Sequence, residues 1–318
     1  MTEKIIFDTD PGIDDTMALL FAHAAPDIDL VGITTVFGNG YIDTVTQNAL
    51  YVCERFGINA PVCQGAAAPL LVDLDEPPTF VHGDDALGNT TAPRPGHRVG
   101  DQYAAGFIID TILQNPGEIT LVAVGRMTNL AMALRINPSI ASQVKRVIVM
   151  GGAVSHPVFT GNVTPVAEAN FHGDPHAADI VMTAPWPVTL VGLNVTMQCV
   201  MDTPRVQQLR HDAGEVGQFI WDITRHYEAF YRSSHSVEGF AVHDSCAIAY
   251  LLAPTLFTEQ SGTVRVITEG ISRGQTIQVP ADRRFPPSAW DALPKQQACI
   301  GIDALGVLDL YARTLAKA

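Results

Sequence analysis

Short apolar runs alternate with longer amphipathic stretches through the first two-thirds of the chain. The run at 29–36 is rich in β-branched residues, which is typical of a parallel strand buried on both faces. Strands are predicted at 4–7, 29–36, 61–63, 119–124, 144–150 and 188–193. Helices are predicted at 15–24, 42–56, 101–113, 128–136 and 176–183. These repeated units predict an α/β fold, an open, mostly parallel, doubly wound sheet with helices on both faces.

Two regions interrupt this alternation. Residues from about 70 to 100 are rich in Pro, Gly, Asp and His and show no period, which is more typical of a functional loop than of an idle one. Helical patterns at 205–210 and 217–231 predict a small helical cap, spanning about 200–242, over the C-terminal strand ends. Beyond it we predict a helix at 243–252, a separate pair of strands at 263–268 and 276–279, and a closing helix at 302–316. We expect residues 1–318 to form one domain.

Composition and charge narrow the functional class. Hydrophobic residues make up 47% of the chain, enough for a large core, and the formal net charge is -14. An acidic chain without a Lys/Arg cluster is not expected to bind nucleic acid. We found no signal-peptide pattern and no apolar run that would span a membrane, and the five cysteines show no CxxC pairing. We therefore expect a cytoplasmic protein with reduced thiols.

Four carboxylates fall within eight residues, in Asp-Thr-Asp-Pro-Gly-Ile-Asp-Asp at 8–15. The stretch follows the first predicted strand, and ligands of open α/β folds bind at such strand ends. Carboxylates this close repel one another unless a cation compensates them, and hard divalent metals prefer oxygen ligands. Asp10, Asp14 and Asp15 are therefore candidate metal ligands. The alternative is that Asp14 or Asp15 only caps the following helix.

Other polar residues have both a functional and a structural interpretation. His243 and Asp244 begin a predicted helix, so Asp244 either joins the metal ligands or caps that helix. The segment at 161–170 contains Asn162, Glu168 and Asn170, which suit sugar hydroxyls but also occur in simple turns.

Candidates for contact with the rest of a ligand lie elsewhere along the chain. Asn39 follows a predicted strand and is a ligand contact or a turn residue. His82 lies in the irregular stretch and is a general acid or a solvated loop residue. Tyr227 and Tyr231 stack on a planar ligand or belong to the core.

Together these motifs resemble the inosine–uridine-preferring nucleoside hydrolases, in the same order and over nearly the whole chain. The acidic stretch at 8–15 is the most specific of them. The others are Gly125-Arg126-Met127-Thr128-Asn129, Met150-Gly151-Gly152, the segment from Asn162 to Asn170, Gly173-Asp174-Pro175 and His243-Asp244.

The resemblance implies an enzyme that hydrolyses the N-glycosidic bond of ribonucleosides through an oxocarbenium-like transition state. Asp10, Asp15 and Asp244 would bind Ca²⁺ through their carboxylates and Thr128 through its backbone carbonyl. Asp10 would also act as base toward the attacking water, which the metal activates. The implied substrate contacts are Asp14 and Asn39 at the ribose 2′-hydroxyl, Asn162 and Glu168 at the 5′-hydroxyl, Asn170 at the 3′-hydroxyl, and Met150 in the substrate site.

The side of the departing base is less well defined by the sequence. His82 and His243 would lie there as catalytic residues, while Tyr227, Tyr231 and His235 are expected to set the base preference. We expect inosine and uridine as substrates, with cytidine as a further one, and a homo-oligomer, either a dimer or a tetramer.

Arg126 and Met127 depart from the resemblance, since the family usually has Pro and Leu there. Because the implied metal contact nearby is a main-chain carbonyl, we expect this side-chain change to matter less than a change at a side-chain ligand.

Two other functions remain open from the residues alone. One is a Mg²⁺-dependent phosphohydrolase, although the chain has only 19 Lys and Arg and no evident phosphate-binding partner. The other is a non-catalytic nucleoside- or ribose-binding protein in which the metal is structural.

Overall fold

The computed structural model describes residues 2–154 and 159–317. Its strands, in chain order, are Glu3–Thr9 (β1), Ile28–Thr35 (β2), Val62–Gln64 (β3), Ile119–Ala123 (β4), Arg146–Met150 (β5), Val188–Val191 (β6), Val200–Met201 (β7), Phe240–Ala241 (β8), Phe257–Val266 (β9), Thr276–Pro280 (β10) and Gln296–Ile302 (β11). Its helices are Ile13–Ala24 (α1), Ile42–Phe56 (α2), Thr79–His82 (α3), Ala104–Gln114 (α4), Thr128–Ile136 (α5), Ala169–Gly173 (α6), Pro175–Thr183 (α7), Leu193–Thr196 (α8), Thr203–Asp212 (α9), Gly214–His235 (α10), His243–Leu252 (α11) and Ala304–Leu315 (α12). Short 3-10 helices span Pro138–Ser142 and Pro254–Leu256.

One large sheet organises the described residues, with strand order β10-β9-β11-β6-β5-β4-β1-β2-β3. The pairs from β11 to β3 are parallel, whereas β9 pairs antiparallel with both β10 and β11. The chain leaves β1 toward β2 on one side and returns to β4 on the other. The carboxyl ends of β1 and β4 therefore form a topological switch point, where open α/β sheets bind ligands.

Both faces of the sheet are covered, as the continuous apolar strands predict. Ile5 and Phe7 of β1 belong to a core that includes α1, α10, α11 and α12, while Ile6 between them belongs to the core formed with α4, α5 and α7. Alternate residues of one strand thus face opposite helical layers. This arrangement confirms the predicted fold class.

The prediction that two late strands form a separate pair was wrong about how this pair relates to the main sheet. β9 and β10 do pair, but β11 joins them to the parallel sheet by lying between β9 and β6. The Gln-Gln-Ala-Cys-Ile-Gly-Ile sequence of β11 contains two glutamines and a glycine, so its apolar period is weak. Gln296 is nevertheless buried, because its side chain donates to the carbonyl oxygens of Met182 and Ala184.

The cap and the irregular stretch lie near each other. Helices α9 and α10 pack together, and α10 contacts α3, the one-turn helix within the irregular stretch. His226 of α10 approaches the carbonyl oxygen of Thr79 at 3.2 Å. In the part of the chain that the structure describes, no helix combines the length and apolar character needed to cross a membrane.

Candidate active site

A cleft of about 330 Å³ opens beside the switch point. The predicted site residues that line it are Asp14, Asn39, His82, Met150, Asn162, Glu168, Asn170, Tyr227, Tyr231, His235, His243 and Asp244. Residues from distant parts of the chain therefore meet at one site, on strand ends, helix starts and the cap. The other three, Asp10, Asp15 and Thr128, are buried and do not belong to the lining surface. The hydroxyl of Thr128, at the start of α5, donates to Asp174 at 2.8 Å.

Asp15 organises the turn between β1 and α1. Its carboxylate accepts hydrogen bonds from the backbone N–H groups of Asp10 and Gly12, both at 3.1 Å, and from the Thr9 hydroxyl at 2.6 Å. The side-chain amide of Asn39 donates to it at 2.7 Å. Asp15 is not the N-cap residue considered in the sequence, since Gly12 has that position, but as the third residue of α1 it accepts the backbone N–H of Gly12. These contacts also fix the loop that carries Asp10 and Asp14.

A cluster of buried carboxylates forms the floor of the cleft. Oxygen atoms of Asp14, Asp15 and Asp244 lie within 4.8 Å of one another. Oδ1 of Asp10 and Oδ1 of Asp14 are buried without a hydrogen-bond partner. Uncompensated buried charges are costly, and hard divalent cations take such oxygen ligands. The residues present therefore fit a divalent metal ion.

The pKa values follow from this crowding. Burial, followed by the charge of Asp15, raises the pKa of Asp14 to about 8. Burial also raises the pKa of Asp10 and of Asp244 well above the usual range, and neighbouring carboxylates raise both further. A bound cation would oppose these shifts, because an opposite charge favours the ionised form.

Asp10 has a cationic neighbour that the sequence analysis undervalued. Arg126 Nη1 donates to Asp10 Oδ2 at 2.6 Å, and the backbone N–H of Asn39 donates to the same oxygen at 2.8 Å. The sequence analysis gave the side chain at 126 less weight because of the nearby main-chain metal contact, whereas the structure places it in direct contact with Asp10. The available signal was a charged residue in place of the usual proline, in a segment predicted to lie beside the metal.

One wall of the cleft is polar and rigidly held. Glu168 caps α6, and its carboxylate accepts backbone N–H bonds from Gly152, Asn170 and Phe171 at 2.7, 2.8 and 3.2 Å. The side-chain amide of Asn170 donates to the carbonyl oxygens of Val124 at 2.6 Å and of Met150 at 3.2 Å.

Asn162 belongs to the same wall, where its side-chain oxygen accepts a hydrogen bond from the N–H of Ala169 at 3.0 Å. The segment at 161–170 therefore presents oriented amide and carboxylate groups to the cleft. The two interpretations of this segment, as a turn and as a ligand contact, are compatible, because its hydrogen bonds to backbone N–H groups hold the polar side chains in position at the cleft.

The opposite wall is aromatic and contributed mainly by α10. Tyr231 and His243 Nε2 are 2.6 Å apart, and the Thr196 hydroxyl lies 2.7 Å from His243 Nδ1. The exposed ring of His235 stacks on Tyr231 with centroids 5.0 Å apart. The Tyr227 hydroxyl donates to Asp14 at 3.3 Å, which connects this wall to the carboxylates.

Both candidate catalytic histidines are buried and uncharged at neutral pH. Burial is the main cause that lowers the pKa of His82 to about 3 and that of His243 to about 4. His82 Nδ1 accepts the backbone N–H of Ile13 at 3.3 Å, and its ring stacks against Tyr227. His82 is thus a buried residue of the cleft wall, fixed by these contacts, and not a solvated loop residue.

The fold and this cleft agree with one known family. The family model for inosine-uridine preferring nucleoside hydrolase matches residues 5–309. The chain belongs to that family, and it is a hydrolase that acts on ribonucleosides as a glycosidase.

Individual relatives cover most of the chain. A probable uridine nucleosidase 1 of Oryza sativa subsp. japonica is 42% identical over 276 residues, covering 86% of this chain and 84% of that protein. An inosine-uridine preferring nucleoside hydrolase of Leishmania major is 40% identical over 291 residues, covering 90% of each. The solved structure described as a plant nucleoside hydrolase, the PpNRh1 enzyme, superimposes with a TM-score of 0.96 at 34% identity and covers 99% of both chains.

Proposed function

We propose that this enzyme hydrolyses the N-glycosidic bond of uridine and inosine, and also of cytidine, in a Ca²⁺-dependent reaction. The observation that carries the proposal is the buried carboxylate cluster with unpartnered oxygens, which faces a polar wall on one side and an aromatic wall on the other. Family membership favours this reaction over a phosphohydrolase and over a non-catalytic binding protein.

Asp10, Asp15 and Asp244 would hold the Ca²⁺ ion, together with the backbone carbonyl of Thr128. Asp14 is a further neighbour, since its carboxylate lies with those of Asp15 and Asp244. Ca²⁺ accepts six to eight oxygen ligands in flexible geometry, so sugar hydroxyls are able to complete its shell. When bound, the ion lowers the pKa of a water molecule and orients it.

The polar wall would bind the ribose. We assign Asp14 and Asn39 to the 2′-hydroxyl and Asn170 to the 3′-hydroxyl. We assign Asn162 and Glu168 to the 5′-hydroxyl, with Met150 beside the sugar. A buried polar side chain that has neither water nor a substrate hydroxyl as hydrogen-bond partner costs binding free energy. These residues would therefore discriminate against a sugar that lacks a hydroxyl.

The carboxylates also suit the transition state. Departure of the base builds positive charge on the ribose ring, and preorganised negative groups stabilise that charge. Asp10 would take a proton from the attacking water through Oδ1, because Oδ2 is already occupied by Arg126 and Asn39. The resulting products are ribose and the free base.

The leaving base would receive a proton or a hydrogen bond from the aromatic wall. Burial holds the pKa of Tyr231 above its ordinary value, so its phenol is protonated at neutral pH. When His243 carries its proton on Nε2, it donates to the Tyr231 oxygen and frees the phenol proton for the base. His82 would act on the same side, next to Tyr227.

The base preference rests on Tyr227, Tyr231 and His235, which line the cleft opposite the polar wall. The names of the relatives support uridine and inosine as the first substrates to examine. The homo-oligomeric state, dimer or tetramer, and the cytoplasmic location stay predictions from the sequence.

The test is a comparison of kcat/KM for inosine, uridine, cytidine and adenosine, measured by ribose release with Ca²⁺ present. We expect uridine and inosine to be the best substrates and cytidine to be hydrolysed as well. A clear preference for adenosine, or turnover of a nucleoside 5′-phosphate alone, would contradict the proposed specificity.

A further inference from the structure

Arg126 is a buried cation that forms an ion pair with one carboxylate at the floor of the cleft. It is 8% exposed, and its Nη1 lies 2.6 Å from Asp10 Oδ2. Its guanidinium also lies 5.7 Å from the centre of the Phe37 ring. A buried ion pair of this kind is retained only where both partners are held in good geometry.

Two glycines make room for the guanidinium. A Cβ atom on Gly38 would lie 1.7 Å from Arg126 Nη1, and a Cβ on Gly173 would lie 2.6 Å from Nε. Any other residue at either position would displace the arginine. Two separate parts of the chain, the loop after β2 and the end of α6, therefore leave the space that this one side chain occupies.

The position of the Arg126 guanidinium determines which oxygen of Asp10 is available to other ligands. Arg126 and the backbone N–H of Asn39 both donate to Oδ2, whereas Oδ1 is buried without a partner. The carboxylate is thereby fixed with a single oxygen free. A side chain at 126 without donors would leave both oxygens to compete for the remaining contacts.

We infer that Arg126 is a permanent counter-charge of the carboxylate cluster, which weakens binding of the divalent cation while it stabilises the metal-free protein. The inference deepens the metal site and rests on the proposed function. The fixed positive charge repels an incoming cation, and it compensates part of the negative charge when no cation is bound.

The test measures Ca²⁺ affinity directly. Wild-type protein, Arg126→Met and Arg126→Lys are stripped with a chelator and titrated with Ca²⁺ by calorimetry, and their thermal unfolding is followed with and without Ca²⁺. In Arg126→Met we expect the Ca²⁺ dissociation constant to fall by about tenfold or more, since one nearby positive charge is lost. The metal-free variant should unfold at a lower temperature than metal-free wild type, and Ca²⁺ should raise its Tm by more.

Arg126→Lys separates charge from general structural effects. It keeps the positive charge, so its Ca²⁺ dissociation constant should stay within about threefold of the wild-type value. A tenfold change in the lysine variant would overturn the charge argument, even where Arg126→Met does not fold.

Arg265→Met is the matched control. Arg265 forms an ion pair with Asp179 at 2.8 and 2.9 Å and lies over an aromatic ring, that of Trp290, at 5.8 Å. Neither member of this pair lines the cleft. Its loss should lower Tm equally with and without Ca²⁺ and leave the dissociation constant unchanged.

The outcomes distinguish two failures. If wild-type protein binds Ca²⁺ and Arg126→Met binds it equally or more weakly, the inference about Arg126 is wrong while the metal site stands. If wild-type protein does not bind Ca²⁺ at all, the proposed metal site fails and the inference fails with it.

Discussion

Replacing Tyr231 with Phe removes one hydroxyl group from the aromatic wall of the cleft. The ring itself keeps its neighbours, since Tyr231 packs edge-on against Tyr227 and stacks on His235, each with centroids 5.0 Å apart. The change therefore tests the contact between the Tyr231 hydroxyl and His243 Nε2, which are 2.6 Å apart.

The magnitude follows from two effects. Without the hydroxyl, His243 Nε2 loses its partner in a buried environment, which costs about 1–3 kcal/mol of folding free energy. Loss of a positioned proton donor slows a reaction by about 10²-fold or more, equivalent to about 2.7 kcal/mol of barrier. We therefore expect Tyr231→Phe to lower kcat for uridine about 100-fold, with a smaller change in KM.

The assay compares two leaving groups. Uridine leaves as a base that needs a proton or a hydrogen bond, whereas the p-nitrophenolate of p-nitrophenyl β-ribofuranoside leaves without one. The variant should lose activity on uridine while it retains most of its activity on the activated riboside. Equal losses on both substrates, or no loss on uridine, would refute the role of Tyr231 as a donor to the base.

Tyr250→Phe is the control for a lost buried hydroxyl. The Tyr250 hydroxyl donates to Glu259 at 2.6 Å and accepts from Thr189 at 3.2 Å, outside the cleft. We expect this variant to lose a similar amount of stability and to retain the wild-type ratio of the two activities.

Three further substitutions test other parts of the site. Asp10→Ala should lower kcat about 10³-fold and weaken Ca²⁺ binding, as seen by steady-state kinetics and calorimetry, and wild-type rates would contradict its role as base. Glu168→Gln keeps the shape of the side chain that caps α6 but removes its negative charge. We therefore expect kcat/KM to fall about tenfold for uridine and by less for 5′-deoxyuridine. Equal losses on the two nucleosides would argue against a contact between Glu168 and the 5′-hydroxyl. His235→Ala removes an exposed stacking ring and should raise KM about three- to tenfold with little change in kcat, whereas a change confined to kcat would place His235 in the chemistry.

The sequence predicted the parallel part of the sheet well because its strands are buried on both faces. Strands of this kind appear as continuous apolar runs, and α2, α5 and α11 agree with the predicted bounds. β11 was missed, since the side chain of Gln296 is satisfied by carbonyl oxygens that only the folded chain brings near. Tertiary hydrogen bonds of this kind leave no local pattern.

The cleft was predicted as a set of residues but not as a network of contacts. The acidic stretch at 8–15 indicated crowded carboxylates, and the structure brings Asp14, Asp15 and Asp244 together. The partners of His243 were not predictable, because Thr196 and Tyr231 have no sequence motif in common with it. Arg126 was undervalued for the same reason, because the space for its side chain depends on Gly38 and Gly173, which lie far from it in the sequence.

The most direct test of the central claim is ribose release from uridine by protein stripped of metal with a chelator, measured before and after Ca²⁺ is added back. The carboxylate cluster requires a cation in this account, so the stripped protein should be inactive and Ca²⁺ should restore release of ribose and uracil in equal amounts without added phosphate. Undiminished release by the stripped protein would contradict the metal requirement, and no release with Ca²⁺ present would contradict the assignment of this cleft as the site of hydrolysis.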